Sequence, residues 1–357
     1  MTLIIAEAGV NHNGDLNLAL ELINQAKLAG VDVVKFQTFK AINLVTAKAK
    51  KAKYQTQNTQ QDESQLAMLS KLELSESDFL KLNEYCEQQG IEFLSTAFDK
   101  QSLDFLVDTI GIKRLKIPSG ELTNLPFVLD HAKTGLNIIL STGMATLADI
   151  ELALSVLAFG YTQGNSTMPS LEGFQQAYGS AAGQQALSEK VTVLHCTTEY
   201  PAPFNEINLN SMQTLQHSFK VKVGYSDHSL GIVIPIAAVA NGAEVIEKHF
   251  TLDKNMDGPD HKASLEPHEL ANMVSGIRQV EQAMGSGIKF PYPSEIRNRV
   301  AARKSLVAAC DIKKGDVFNE DNITIKRPGD GISPLRYWDI LGEKSAHQYC
   351  AGDLISE

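Results

Sequence analysis

Over the first two thirds of the chain, short runs rich in β-branched residues alternate with longer stretches whose apolar positions recur at helical spacing. The short runs are Leu3 to Val10, Val31 to Phe39, Glu92 to Phe98, Arg114 to Gly120, Asn137 to Gly143, Val191 to Thr197, Val221 to Asp227 and Val245 to Thr251. Each has the length and bounding residues of a strand. Between them, Leu16 to Leu28, Glu76 to Gln89, Leu147 to Leu157 and Ile232 to Asn241 carry the period of an amphipathic helix. Eight strands with intervening helices predict an α/β protein built on a (β/α)8 TIM barrel rather than a doubly wound sheet.

The polar residues of these units cluster where the strands end. They are Glu7; Lys35 and Gln37; Thr96; Lys116 and Ser119; Ser141; Thr198 and Tyr200; Ser226 and His228; and Glu247 and His249. In a barrel these C-terminal ends meet on one face, which is where such folds carry their chemistry. Residues two apart share one side of a strand, so Lys35 with Gln37, Ser226 with His228, and Glu247 with His249 are expected to project together into the mouth.

Two segments interrupt the alternation. Gly160 to Lys190, rich in Gly, Ser, Ala and Gln, reads as a peripheral surface insertion, and Lys40 to Ser70 as a loop that can lie over the barrel top. After Pro291 and Pro293 the helical period is lost, and short strands and turns predict a β-rich module of roughly sixty residues, a size that gains stability by docking. The expected organisation is a barrel over 1–285, a linker over 286–297 and a small domain over 298–357.

Composition narrows the functions. The 357 residues are 43% hydrophobic and 21% charged, as in ordinary globular proteins. A formal charge of −10 without a dominant basic cluster argues against a nucleic-acid partner, and an anionic small substrate needs a local basic pocket instead. The chain opens directly on a strand pattern without the basic region of a signal peptide, and no apolar run reaches membrane-span length, so no membrane partner is expected. Four scattered cysteines, Cys86, Cys196, Cys310 and Cys350, encode neither a zinc knuckle nor a disulfide framework, which suits a reducing cytoplasm.

The strand-end residues suggest specific chemistry. His228 and His249, on neighbouring strands, can hold a divalent metal with positions left for water or substrate; the alternative is two separately hydrogen-bonded histidines, and convergence on the catalytic face favours the metal. Such a pair suits manganese, with magnesium or cobalt as alternatives, whereas structural zinc asks for four protein ligands. Lys35 and Lys116, each beside small hydroxyl residues, are suited to phosphate and carboxylate. A buried Lys116 is equally suited to a Schiff base in a metal-independent aldolase. Glu7, within an apolar strand, is either a structural acceptor or a ligand for substrate hydroxyls.

The ordered motifs Ala6-Glu7-Ala8-Gly9-Val10-Asn11-His12-Asn13-Gly14, Val34-Lys35-Phe36-Gln37-Thr38, Lys116-Ile117-Pro118-Ser119-Gly120-Glu121, Ser141-Thr142-Gly143-Met144, His195-Cys196-Thr197-Thr198-Glu199-Tyr200-Pro201, Ser226-Asp227-His228 and Glu247-Lys248-His249-Phe250 closely resemble the sialic acid synthases. The tail, with Asp311-Ile312-Lys313-Lys314-Gly315 and Lys326-Arg327-Pro328-Gly329, resembles their antifreeze-like SAF domain. The resemblance implies a domain-swapped homodimer that binds phosphoenolpyruvate, an N-acetylated amino sugar and a metal, usually manganese. It implies metal ligation by His228 and His249, and a phosphoenolpyruvate site lined by Lys35, Thr96, Lys116, Ser119, Ser141, Thr198 and Ser226, where some members carry Asn at the Thr198 position. Glu7, Tyr200 and Asp260 would face the sugar, with Gln37 and Glu121 among the substrate-binding residues, and Arg327 would reach the partner's sugar. The implied reaction is attack of phosphoenolpyruvate on the aldehyde of the open-chain sugar, addition of water and loss of phosphate by C–O cleavage.

The same motifs resemble both N-acetylneuraminate synthases, which use N-acetylmannosamine, and N,N'-diacetyllegionaminate synthases, which use 2,4-diacetamido-2,4,6-trideoxymannose. A non-enzymatic reading, with the tail as an ice- or carbohydrate-binding module on an inert barrel, leaves the polar strand ends without a purpose.

Overall fold

Eight parallel strands build the first part of the chain: β1 (Leu3–Gly9), β2 (Val33–Thr38), β3 (Glu92–Ala97), β4 (Arg114–Ile117), β5 (Asn137–Ser141), β6 (Val191–Cys196), β7 (Lys222–Asp227) and β8 (Val245–His249). The computed structural model describes residues 1–59, 63–163 and 167–356, which divide into two compact units, Met1–Gly285 and Ser286–Glu357. The strands run in the order β3-β2-β1-β8-β7-β6-β5-β4, so β8 returns to β1 and the sheet curls into a nearly closed barrel. Its seam falls between β3 and β4, which lie side by side.

Alternation along each strand creates two buried layers. Ile5, Val33, Leu94, Ile139, Leu194 and Val245 form an apolar plug inside the barrel. Residues of opposite parity, among them Ile4, Ala6, Val34, Phe36, Leu140, Val193 and Ile246, join the larger core beneath the helices. On β7 the interior position is Gly224, where any Cβ would collide with the Val245 carbonyl and lie 2.6 Å from Leu194 Cδ2, so only glycine fits.

The covering helices are α1 (Leu16–Ala29), α2 (Ala41–Leu44), α3 (Lys53–Thr59), α4 (Gln65–Leu72), α5 (Glu76–Gln89), α6 (Lys100–Asp104), α7 (Leu125–Lys133), α8 (Leu147–Gln163), α9 (Leu171–Gly179), α10 (Ala181–Lys190), α11 (Ser211–Phe219), α12 (Val233–Ala240) and α13 (Pro267–Met284). Local chemistry sets their ends. α1 begins at Asp15, whose carboxylate accepts from the Asn17 N–H at 2.7 Å, and stops at Gly30 in the left-handed region, φ 80°. α5 begins with a Ser75–Asp78 capping box and also stops at a left-handed glycine, Gly90.

The two interrupting segments turn out to be structured. The Lys40–Ser70 stretch holds α2, α3 and most of α4. The Gly160–Lys190 insertion contains two further helices, α9 and α10, packed on α8, with Phe159 and Phe174 edge to face at 5.1 Å. Part of it, residues 164–166, lies outside the described residues.

In the second unit, β9 (Ser305–Ala308) and β10 (Ile323–Lys326) pair antiparallel. Leu306, Ala308, Ile312, Phe318, Ile323, Ile340, Tyr349 and Ile355 form its separate core. The 286–297 stretch, expected as a linker, carries a short helix, Pro293–Ile296, because Pro293 at the first helical position matches the preset φ of proline.

Candidate active site

One step above the apolar plug, the strands present a ring of reactive side chains. Glu7, Lys35, Thr96, Ser141, Cys196 and Glu247 each lie two residues beyond a plug residue, and Lys116 on β4 and Ser226 on β7 complete the ring. All eight line one cavity, and all eight are buried. A further step outward, Gln37, Thr198, His228 and His249 line the same cavity, as do Ser119, Tyr200 and Asp260 from the loops.

Two lysines and two glutamates neutralise one another in this ring. Lys35 pairs with Glu7 and lies 3.6 Å from Glu247, while Lys116 donates to Glu247 Oε1 at 2.9 Å. Ser226 Oγ donates to the same oxygen at 2.9 Å, and Gln37 Nε2 donates to Glu7 Oε1 at 3.1 Å. Burial opposes the charge on Glu247, but Lys116 and Lys35 outweigh it and hold the carboxyl well below the usual range. Burial likewise opposes the Lys35 ammonium, which Glu247 and Glu7 hold above its ordinary value. For Glu7 burial prevails over Lys35, and Glu247 adds to it, so its carboxyl is raised.

The histidine rings lie 5.6 Å apart, centre to centre. Nδ1 of His228 faces the Thr197 carbonyl at 2.7 Å and therefore carries the proton, leaving the Nε2 lone pair directed at the Tyr200 hydroxyl, 3.0 Å away. His249 Nδ1 is buried and has no hydrogen-bond partner among the described residues. Burial lowers His228 to about 4 and His249 well below its ordinary range, so both rings are neutral with lone pairs to offer. A cation about 2 Å from a nitrogen of each ring is compatible with the 5.6 Å spacing. No group of three or more His, Cys, Asp or Glu poised for a metal occurs among the described residues. A cation held by this pair would take its other ligands from water or substrate.

Beside the ring, Gly143 donates its N–H to Ser119 Oγ at 2.9 Å. A Cβ there would collide with Thr198 Oγ1 and lie 2.8 Å from Ser119 Oγ. Glycine therefore lets two hydroxyls from different strand ends converge. Ser141 Oγ, facing the same cavity, is buried without a hydrogen-bond partner among the described residues.

The Asn11-His12-Asn13-Gly14 motif builds the rim. Asn11 Nδ2 donates to the Phe250 carbonyl and to Ser264 Oγ, both at 2.9 Å, and Ser264 Oγ donates to the Asp260 carbonyl at 2.7 Å. Asn13 Nδ2 donates to the Asp257 carbonyl at 2.8 Å. These bonds fix the loop that delivers Asp260, whose carboxyl is pushed up to about 7 by burial and by Glu7. Gly14, at φ 75°, meets the Lys71 carbonyl so closely that a Cβ would collide, which seats α4 against the rim.

A model of the NeuB family matches residues 22–289, and one of the SAF domain matches residues 303–357. The N,N'-diacetyllegionaminic acid synthase of Campylobacter jejuni subsp. jejuni serotype O:2 is 54% identical over 356 residues, 100% of this chain and 99% of that one. The chain belongs to the NeuB family. Another NeuB-family relative, the N,N'-diacetyllegionaminic acid synthase of Legionella pneumophila subsp. pneumophila, is 46% identical over 99% of this chain and 92% of that one. Among solved structures, the N-acetylneuraminic acid (sialic acid) synthetase of Leptospira borgpetersenii serovar Hardjo-bovis superposes with a TM-score of 0.66 at 33% identity, covering 83% of this chain and 90% of that one.

One residue expected to bind substrate lies outside the cavity lining. Glu121 closes the 3₁₀ turn Ser119–Glu121, where the strand's alternation has ended, and its Oε2 accepts from Asn124 Nδ2 at 2.7 Å outside the cavity lining. Arg327 is exposed on the second unit, just after β10. Conversely, the expected site set gives no role to Glu247, although the sequence places it in the mouth beside His249. It also omits Val10, Met68, Leu69, Leu72 and Phe98, apolar residues that line the cavity and carry no motif of their own.

Proposed function

We propose that this protein joins phosphoenolpyruvate to 2,4-diacetamido-2,4,6-trideoxymannose, forming N,N'-diacetyllegionaminate and releasing phosphate. The chain is an enzyme of the NeuB synthase family, and condensation of phosphoenolpyruvate with an amino sugar goes with that membership. The choice of sugar is supported by two legionaminate synthases at 54% and 46% identity along nearly the whole chain. The observation that carries the chemistry is the convergence of all eight strand ends on one charged, buried cavity.

Within that cavity Lys35 and Lys116 hold the phosphate and carboxylate of phosphoenolpyruvate, with hydrogen bonds from Thr96, Ser119, Ser141, Thr198 and Ser226. Glu7 and Glu247 keep the lysines charged and buried before the anion arrives. Glu7, Gln37, Tyr200 and Asp260 face the sugar and bind its hydroxyl and acetamido groups. His228 and His249 would hold a divalent cation, manganese in this reading, which would supply Lewis-acid polarisation of the sugar aldehyde. The residues hold both reactants with the nucleophilic methylene against the aldehyde, which removes most of the entropic part of the barrier.

The Schiff-base alternative fits less well. Lys116 Nζ donates to Glu247 Oε1 at 2.9 Å, a pairing that a Schiff-base nucleophile would have to give up. The small unit, in this reading, serves a partner chain: a domain-swapped homodimer would bring Arg327 to the partner's sugar, its planar donors matching an amide carbonyl.

The test compares kcat/KM for 2,4-diacetamido-2,4,6-trideoxymannose and N-acetylmannosamine, following phosphate release from phosphoenolpyruvate. The diacetamido sugar is expected to be preferred by about 10-fold or more, the range open to a site that hydrogen-bonds the group in question. Preference for N-acetylmannosamine would reassign the substrate, and turnover of neither would remove the reading.

A further inference from the structure

The cavity has an apolar wall that phosphoenolpyruvate does not need. Met68, Leu69 and Leu72 of α4 line it together with Val10 and Phe98. Val10, Met68 and Leu72 are buried in one small cluster with Phe39, against which Leu69 and Phe98 pack. Phe39 and Phe98 meet edge to face at 6.2 Å, so the wall is a packed surface rather than a set of loose side chains.

Its height in the barrel decides which part of a substrate it meets. Val10 lies three residues beyond Glu7 along the chain, and Phe98 two beyond Thr96, so both stand nearer the mouth than the charged ring. Condensation requires the aldehyde carbon to face phosphoenolpyruvate, which the lysines hold at the ring. The opposite end of the open-chain sugar must then point outward, past Glu7 and Asp260, toward α4.

We infer that the wall formed by Met68, Leu69 and Leu72 selects the terminal carbon of the sugar, accepting a methyl group and disfavouring a hydroxymethyl group. This rests on the reading that the cavity condenses phosphoenolpyruvate with an amino sugar. A hydroxyl pressed against these side chains loses its water without gaining a partner, while a methyl group keeps favourable contact. Apolar pockets reject an added hydroxyl only moderately, so the expected discrimination is about 10- to 100-fold in kcat/KM.

The experiment uses two sugars that differ at that carbon alone: 2,4-diacetamido-2,4,6-trideoxymannose and its 6-hydroxy counterpart, 2,4-diacetamido-2,4-dideoxymannose. The wild-type enzyme is expected to favour the deoxy sugar by about 10- to 100-fold. Leu69→Asn, at a half-buried position, should cut that ratio by about 10-fold, with KM for phosphoenolpyruvate changed less than about twofold. Met68→Gln supplies a second polar substitution on the same wall, and Leu69→Met, which keeps it apolar, should preserve the ratio. A wild-type ratio near one, or a ratio unmoved in folded Leu69→Asn and Met68→Gln enzymes, overturns this inference while leaving the synthase reading intact. Absence of turnover with every amino sugar overturns both.

Discussion

At His228 a backbone carbonyl does the orienting: Thr197 O accepts a hydrogen bond from Nδ1–H, which leaves the Nε2 lone pair on the cavity side, facing the Tyr200 hydroxyl. His249 offers a buried nitrogen with no partner among the described residues. In the proposed reading these two imidazoles hold the cation and contribute electrophilic activation rather than core packing, so His228→Ala and His249→Ala should each abolish turnover while leaving far-UV circular dichroism unchanged. Chelation of the wild type should reproduce the loss, and added manganese should restore the wild type alone. Full activity in metal-free wild-type enzyme would contradict the assignment. Both histidines stand out in the sequence because they end neighbouring strands. The motif resemblance implies Glu121 among the substrate-binding residues, but its side chain turns to Asn124 because a 3₁₀ turn does not preserve strand alternation.

At the scale of elements, β7 and β8 are held together behind the histidines by an ion pair on the outer face of the barrel. Lys248 Nζ donates to Asp227 Oδ2 at 2.6 Å and also to the Ser229 carbonyl, while Asp227 Oδ1 accepts from the Ser229 N–H at 2.9 Å and hydroxyl at 2.7 Å. Both charged side chains are fully buried, so removing one strands the other. Lys248→Met should therefore destabilise the barrel by about 3–5 kcal/mol, read as a lowered denaturation midpoint. An unchanged midpoint would show that the pair carries no such weight. The strands were legible to within a few residues because a barrel demands a rigid period of two, as Ile5–Glu7 and Val245–Glu247 show. The lid was not. Lys40–Ser70 has few apolar anchors, and α4 owes its position to a tertiary fit, the Lys71 carbonyl against Gly14, which no local period encodes. The same holds for α9 and α10, whose composition suggests only a peripheral insertion and whose helices are stabilised by packing on α8.

At the scale of the whole molecule the chain carries two units, each with its own core. Arg327 is exposed on the small unit, and in the proposed reading it serves the cavity of a partner chain. Chains carrying Arg327→Ala and chains carrying His249→Ala, each inactive alone, should then regain part of their activity when mixed. Failure to complement despite demonstrated subunit exchange would confine the arginine to its own chain or to no role. The central claim, that the ring of strand-end residues joins phosphoenolpyruvate to an amino sugar, is tested most directly by mass spectrometry of both products from phosphoenolpyruvate carrying heavy oxygen in the bridging position. The account predicts that the phosphate keeps the label and that the sugar gains the mass of a pyruvyl unit with an oxygen from solvent. Unlabelled phosphate, or phosphate released without any heavier sugar acid, would contradict it.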